Sequence, residues 1–104
     1  MDKEPQEKDD VQDTTAGKTD FANFIMSLAV TALGQMGLAP EGQDIPVSLP
    51  MASQTIDMIS MLQEKTVGNL EEHEKKLIDS LLYELRVKYV EKTAEQKNQN
   101  EKTD

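Results

Sequence analysis

Apolar residues recur at helical spacing in three blocks, and breaker residues separate the blocks. In the first block Phe21, Phe24, Ile25, Met26, Leu28, Ala29, Ala32, Leu33 and Met36 cover well over half of a helix circumference. Only Asn23, Ser27, Thr31 and Gly34 leave a narrow polar strip. A helix with a single neighbour needs an apolar stripe of roughly 100°. This first helix, over residues 20–36, is therefore expected to pack against helices on two sides. Asp20 is a favoured N-cap and Gly37 a favoured stop.

The next segment, GLAPEGQDIPVSLP, carries three prolines and two glycines and reads as loop over residues 37–49. Within it Ile45, Val47 and Leu49 alternate with polar or proline positions, as in an extended strap laid on the helices. A second helix is expected over residues 50–66, with Pro50 in the first turn where its missing N–H costs little. Ala52, Ile56, Ile59 and Leu62 make its core stripe, and Ser53, Asp57, Ser60 and Glu64 its wet face. Met51, Met58 and Met61 widen the stripe to one side. Methionines at this spacing serve either as core filler or as an adaptable binding surface.

A tight junction follows, read as a turn over residues 67–69. Gly68 takes the left-handed conformation that ends a helix, Asn69 serves as the next N-cap, and Glu72 reaches back to it in a capping box. So short a connection makes the second and third helices antiparallel neighbours. Lys65 and Thr66 are the junction residues without an evident structural task. The third helix, residues 70–92, presents Leu70, Leu77, Ile78, Leu81, Leu82, Leu85 and Tyr89 on one face. Tyr83, Val87 and Val90 fall on nearly the opposite side, and a second apolar patch on so small a domain points to a partner surface.

Composition sharpens the boundaries. The chain has 104 residues and a net charge of −9, unevenly distributed. Residues 1–19 are acidic and carry one large aliphatic side chain, Val11, while residues 93–104 carry none. Both ends are expected to be disordered or fraying, since they cannot bury enough apolar surface to offset ordering. About 70 residues remain for the core, a size at which a domain buries only about 60% of its unfolded surface, and self-association is a common remedy.

Most chemistry is disfavoured. Without cysteine there is no disulfide or thiolate site, which suits a cytoplasmic protein. Nucleic acid needs clustered basic residues. Here Lys75, Lys76, Arg86 and Lys88 are interleaved with Glu72, Glu74, Asp79 and Glu84, giving helix-surface pairs such as Glu71–Lys75, Glu72–Lys76 and Glu84–Lys88. His73 is the single histidine and lacks the second histidine or cysteine of a typical zinc site. Asp57 and Glu64 share a helix face but read as solvated surface. No catalytic, metal or cofactor-binding residue is expected. A membrane span over the uncharged run 21–39 is the competing reading, weakened by its Asn, Ser, Thr, Gln and Gly content and by its acidic flanks. An acidic decoy for the basic site of another protein is a third.

Several residues together carry a resemblance: Asp20-Phe21 with Phe24, the Ile56-Asp57 pair, Met61-Leu62, the run Lys65-Thr66-Val67-Gly68-Asn69-Leu70, Leu85-Arg86 and Tyr89-Val90. In these the chain resembles a family of short bacterial proteins known only as a domain of unknown function, number eighteen-forty-four. Pro50 stands where members of that family often carry an acidic residue. The resemblance covers residues 20–91 and implies a small all-helical fold; it supplies no activity, substrate or site residue.

The expectation is an all-α, three-helix domain completed by self-association. It would act as a non-enzymatic adaptor with an unidentified protein partner. The candidate interface comprises Phe21, Phe24, Met26, Leu28, Met58, Met61, Tyr83, Val87 and Val90.

Overall fold

The structure, a computed structural model, describes residues 20–102. The expected tail over residues 1–19 lies outside them. Three helices and no strand occur among the described residues: α1 (Phe21–Gln35), α2 (Leu49–Lys65) and α3 (Glu72–Lys102). Helix α1 packs against both α2 and α3, and α2 against α3. The wide apolar surface of α1 is thus used on two sides.

Each helix end has a local cause. The Asp20 side chain accepts the Asn23 backbone N–H at 2.8 Å and opens α1. At the other end Gly37 adopts φ +86°, and the Gly37 and Leu38 N–H groups fold back to the carbonyls of Gly34 and Leu33 at 2.9 and 2.8 Å. That double return satisfies carbonyls that the last turn leaves open. Ser48 caps α2 by accepting the Met51 N–H at 3.3 Å, so the helix starts at Leu49, one residue before the expected Pro50.

Ile25, Ala29, Ala32, Met36, Ala52, Ile56, Ile59, Ile78, Leu82 and Leu85 form one buried cluster. Its small members, Ala29 and Ala32 on α1 and Ala52 on α2, let the helices approach closely. Its large ones supply the apolar burial, each about 1.5–3 kcal/mol relative to exposure. Phe21 and Leu28, expected as interface residues, instead pack partly buried against this cluster. They border the buried stripe of Ile25, Ala29 and Ala32 on α1.

The loop between α1 and α2 is tied down at two points, although of the expected strap only Ile45 packs inward from the loop: Val47 is 67% exposed and Leu49 already belongs to α2. Ser48 donates its N–H to the Gln35 carbonyl at 2.8 Å, and Ile45 lies directly over Gly34. Inside, Thr55 is 4% exposed. Its hydroxyl donates a three-centre bond to the Gln35 side-chain oxygen at 2.7 Å and to the Met51 carbonyl at 3.1 Å. A buried hydroxyl requires such a partner.

Helix α3 differs from the expected span at both ends. It begins at Glu72 rather than residue 70, and it continues through Lys102, across most of the stretch read as a disordered or fraying tail. Residues 72–102 contain no glycine or proline. Ala94, Glu95, Gln96 and Lys97 are good helix formers, and Lys92 pairs with Glu95 at 3.3 Å. Poverty in apolar residues removes burial from this stretch without removing its helical preference. At 31 residues α3 is about 46 Å long. Among the described residues no helix is long and apolar enough to cross a membrane.

Candidate functional site

The α2–α3 hairpin is joined on one side by polar contacts. Gln63 donates from Nε2 to Asp79 Oδ1 at 2.6 Å, and Lys75 donates from Nζ to the other carboxylate oxygen at 3.0 Å. One turn or two further along, Arg86 Nη2 donates to Ser60 Oγ at 3.1 Å. The Asp79 carboxyl is held below its ordinary range, first by the Lys75 hydrogen bond and then by that of Gln63. Lys75 is raised in turn, chiefly by its bond to Asp79. Lys75 therefore pairs with Asp79 rather than with the expected Glu71, whereas Lys88 does reach Glu84 at 3.3 Å.

Beyond this seam lies an open groove of about 500 Å³ lined by Gln63, Asp79, Leu82, Tyr83, Arg86, Val87, Val90 and Glu91. Leu82 sits at its base as a core residue, while Tyr83 is 69%, Val87 40% and Val90 64% exposed. The structure thus brings together Tyr83, Val87 and Val90 from the expected interface, on the side of α3 turned away from Ile78 and Leu85. The other exposed candidates, Phe24, Met26, Met58 and Met61, do not line the groove. Met58 and Met61 belong to the outer face of α2, where Met51 is also exposed. The rim residues Gln63, Asp79, Arg86 and Glu91 were not expected from sequence. Nothing local in the sequence marks them as a rim; Gln63 meets Asp79 only because α2 docks on α3.

The junction is corrected in its caps. Gly68 does take φ +85°, but Asn69 does not open α3; its N–H donates to the Thr66 carbonyl at 2.9 Å within the turn. The cap is Glu71, whose carbonyl accepts the first helical bond from Lys75 at 2.9 Å and whose N–H donates to the Glu74 side chain at 2.9 Å. The reach-back bond therefore runs from Glu71 to Glu74 rather than from Asn69 to Glu72, two residues later than expected, and it is the return half of a capping box only, because the turn uses Val67 to Leu70 before the chain coils. Glu72 is the first residue of α3. Thr66 has a structural task after all, donating from Oγ1 to the Leu62 carbonyl at 2.7 Å. Lys65 lies in the last turn of α2, where its charge complements the helix C-terminus. His73 is exposed, with Nδ1 3.5 Å from a Glu71 oxygen. Among the described residues no group of three or more His, Asp or Glu is placed to hold a metal ion.

An antiparallel α2–α3 hairpin closed by α1, with an apolar groove left open along α3, defines a small all-α domain. Residues 18–91 match the family described as Domain of unknown function (DUF1844), and the chain belongs to that family. No curated protein and no solved structure matches it.

Proposed function

We propose that the chain is a non-enzymatic protein-interaction module, self-association included, and that its docking surface is the α3 groove. The observation that carries this reading is the exposure of Tyr83, Val87 and Val90 side by side on a helix whose other face buries Ile78 and Leu85 in the core. Monomeric domains rarely leave a contiguous apolar patch of that kind without a use for it. The rim supports docking rather than catalysis, since Asp79 and Arg86 are engaged with Lys75, Gln63 and Ser60. The compartment we assign is the cytoplasm, which suits a chain without cysteine.

Affinity capture tests the reading with three tagged full-length chains: unaltered, Val87→Glu and Met61→Glu. The unaltered chain and Met61→Glu are expected to retain the same bound protein, including untagged copies of the chain itself, and Val87→Glu to lose it. An identical captured set from all three would overturn the reading. Loss only with Met61→Glu would move the docking surface to the methionine face of α2.

A further inference from the structure

We infer that the α3 groove is filled by α3 of a second copy of this chain, running parallel to the first. The inference rests on the interaction reading above and specifies its occupant and register.

Tyr83, Val87, Val90 and Ala94 follow one another at spacings of four, three and four residues, and all four are exposed. That is the seam spacing of a two-stranded coiled coil, with Tyr83 and Val90 at d positions and Val87 and Ala94 at a positions. The seam is short, which suits a reversible dimer.

Orientation follows from where α2 stands. Gln63 and Ser60 bond Asp79 and Arg86, and both of these occupy the g edge of the seam. In an antiparallel pair the two g edges meet on one side. The two α2 helices would then compete for the same space. In a parallel pair each g edge meets the e edge of the other chain, which sends the two α2 helices to opposite sides. Each α3 then settles into the α2–α3 groove of its counterpart.

Charge agrees with that register. Arg86 at g and Glu91 at e both line the groove, and a parallel pair brings each Arg86 to Glu91 of the second copy, the usual g-to-e ion pair. The reverse orientation sets Glu84 against Glu91 along the shared e edge, a like-charge contact.

Disulfide trapping decides the matter cleanly because the chain has no cysteine of its own. In full-length Ala94→Cys, the parallel register faces the two introduced thiols, and mild oxidation is expected to convert most of the protein to a covalent dimer. Adding Val87→Glu should suppress that product several-fold while circular dichroism stays unchanged. Met58→Cys, turned away from Ser60 and Gln63 on α2, should stay uncrosslinked. If Ala94→Cys fails to crosslink while a mixture of Tyr83→Cys and Ala94→Cys chains does, the pair is antiparallel and the inferred register is overturned. If neither crosslinks, the second copy is overturned as occupant. The interaction reading then stands or falls separately, on whether Val87→Glu abolishes capture.

Discussion

Ile45 of the connecting loop occupies the space that a side chain at Gly34 of α1 would need, its Cδ1 lying 2.5 Å from where a Cβ would stand. This contact anchors the strap between α1 and α2. Gly34 lies within the helix, where alanine alone would be worth about 1 kcal/mol. Overpacking costs about 1–3 kcal/mol, so Gly34→Ala is expected to destabilise the fold on balance. In an Ile45→Gly background, which removes the Cβ, Cγ2 and Cδ1 that crowd the site, the same substitution should become stabilising, by about 1 kcal/mol. Urea denaturation of the four combinations reads this sign change, and equal effects in both backgrounds would contradict the packing described.

The Thr55–Gln35 bond is the second tie between α1 and α2. Thr55→Val keeps the shape but leaves the Gln35 amide oxygen without its donor in a part-buried site. A loss of about 1–2 kcal/mol is expected. Combining it with Gln35→Met should cost less than the sum of the single changes, as denaturant midpoints will show. Strict additivity would mean that the bond is not formed.

Asp79 makes stability depend on pH in a set direction. Its carboxyl titrates below its usual 3.8 in the folded chain, so its contribution is present above that value and is lost as pH falls through the lower, folded one. Lys75 acts at the other extreme: its contribution is present below 10.5 and is lost as pH rises through its raised folded value. Asp79→Asn is expected to lower the plateau of a plot of urea midpoint against pH and to flatten both limbs, the acid one by removing the titrating carboxyl and the alkaline one by removing the partner that raises Lys75. Unaltered limbs would mean that the Gln63–Asp79–Lys75 contact is not maintained in solution.

The junction distinguishes two capping schemes. Asn69→Ala should be nearly neutral, whereas Glu74→Ala removes the group that bonds the Glu71 N–H and should cost about 0.5–1 kcal/mol. Gly68→Ala meets no neighbouring atom, so its cost is backbone strain alone, about 1–2 kcal/mol. Thermal unfolding of the three variants gives the ranking, and a larger loss from Asn69→Ala than from Glu74→Ala would restore the earlier cap.

These residues also show what a sequence can and cannot reveal here. The three helices, the two-sided packing of α1, the stop at Gly37 and the second apolar patch of α3 were legible because each depends on spacing or on a residue's own conformational preference. The capping box slipped by two residues because Asn69 and Glu71 can each begin a helix, and only the length of the turn decides between them. Phe21 and Leu28 stand both in the apolar arc of α1 and in the candidate interface because a wide arc does not say which of its edges faces a neighbour. The length of α3 is not legible from burial, because residues 93–99 bury little and their helicity needs none. The Gln63–Asp79 and Ser60–Arg86 contacts link residues far apart in sequence, and only the docking of α2 on α3 brings them together. Until that docking is known, the rim of the groove has no local signature.

The central claim, that the exposed seam of α3 is a surface made to be covered, is tested most directly by sedimentation equilibrium on the full chain over a series reaching high micromolar concentration. A reversible monomer–dimer equilibrium is expected, abolished by Val87→Glu at unchanged helicity. A constant mass of 11.6 kDa across the series, or a dimer indifferent to Val87→Glu, would contradict it.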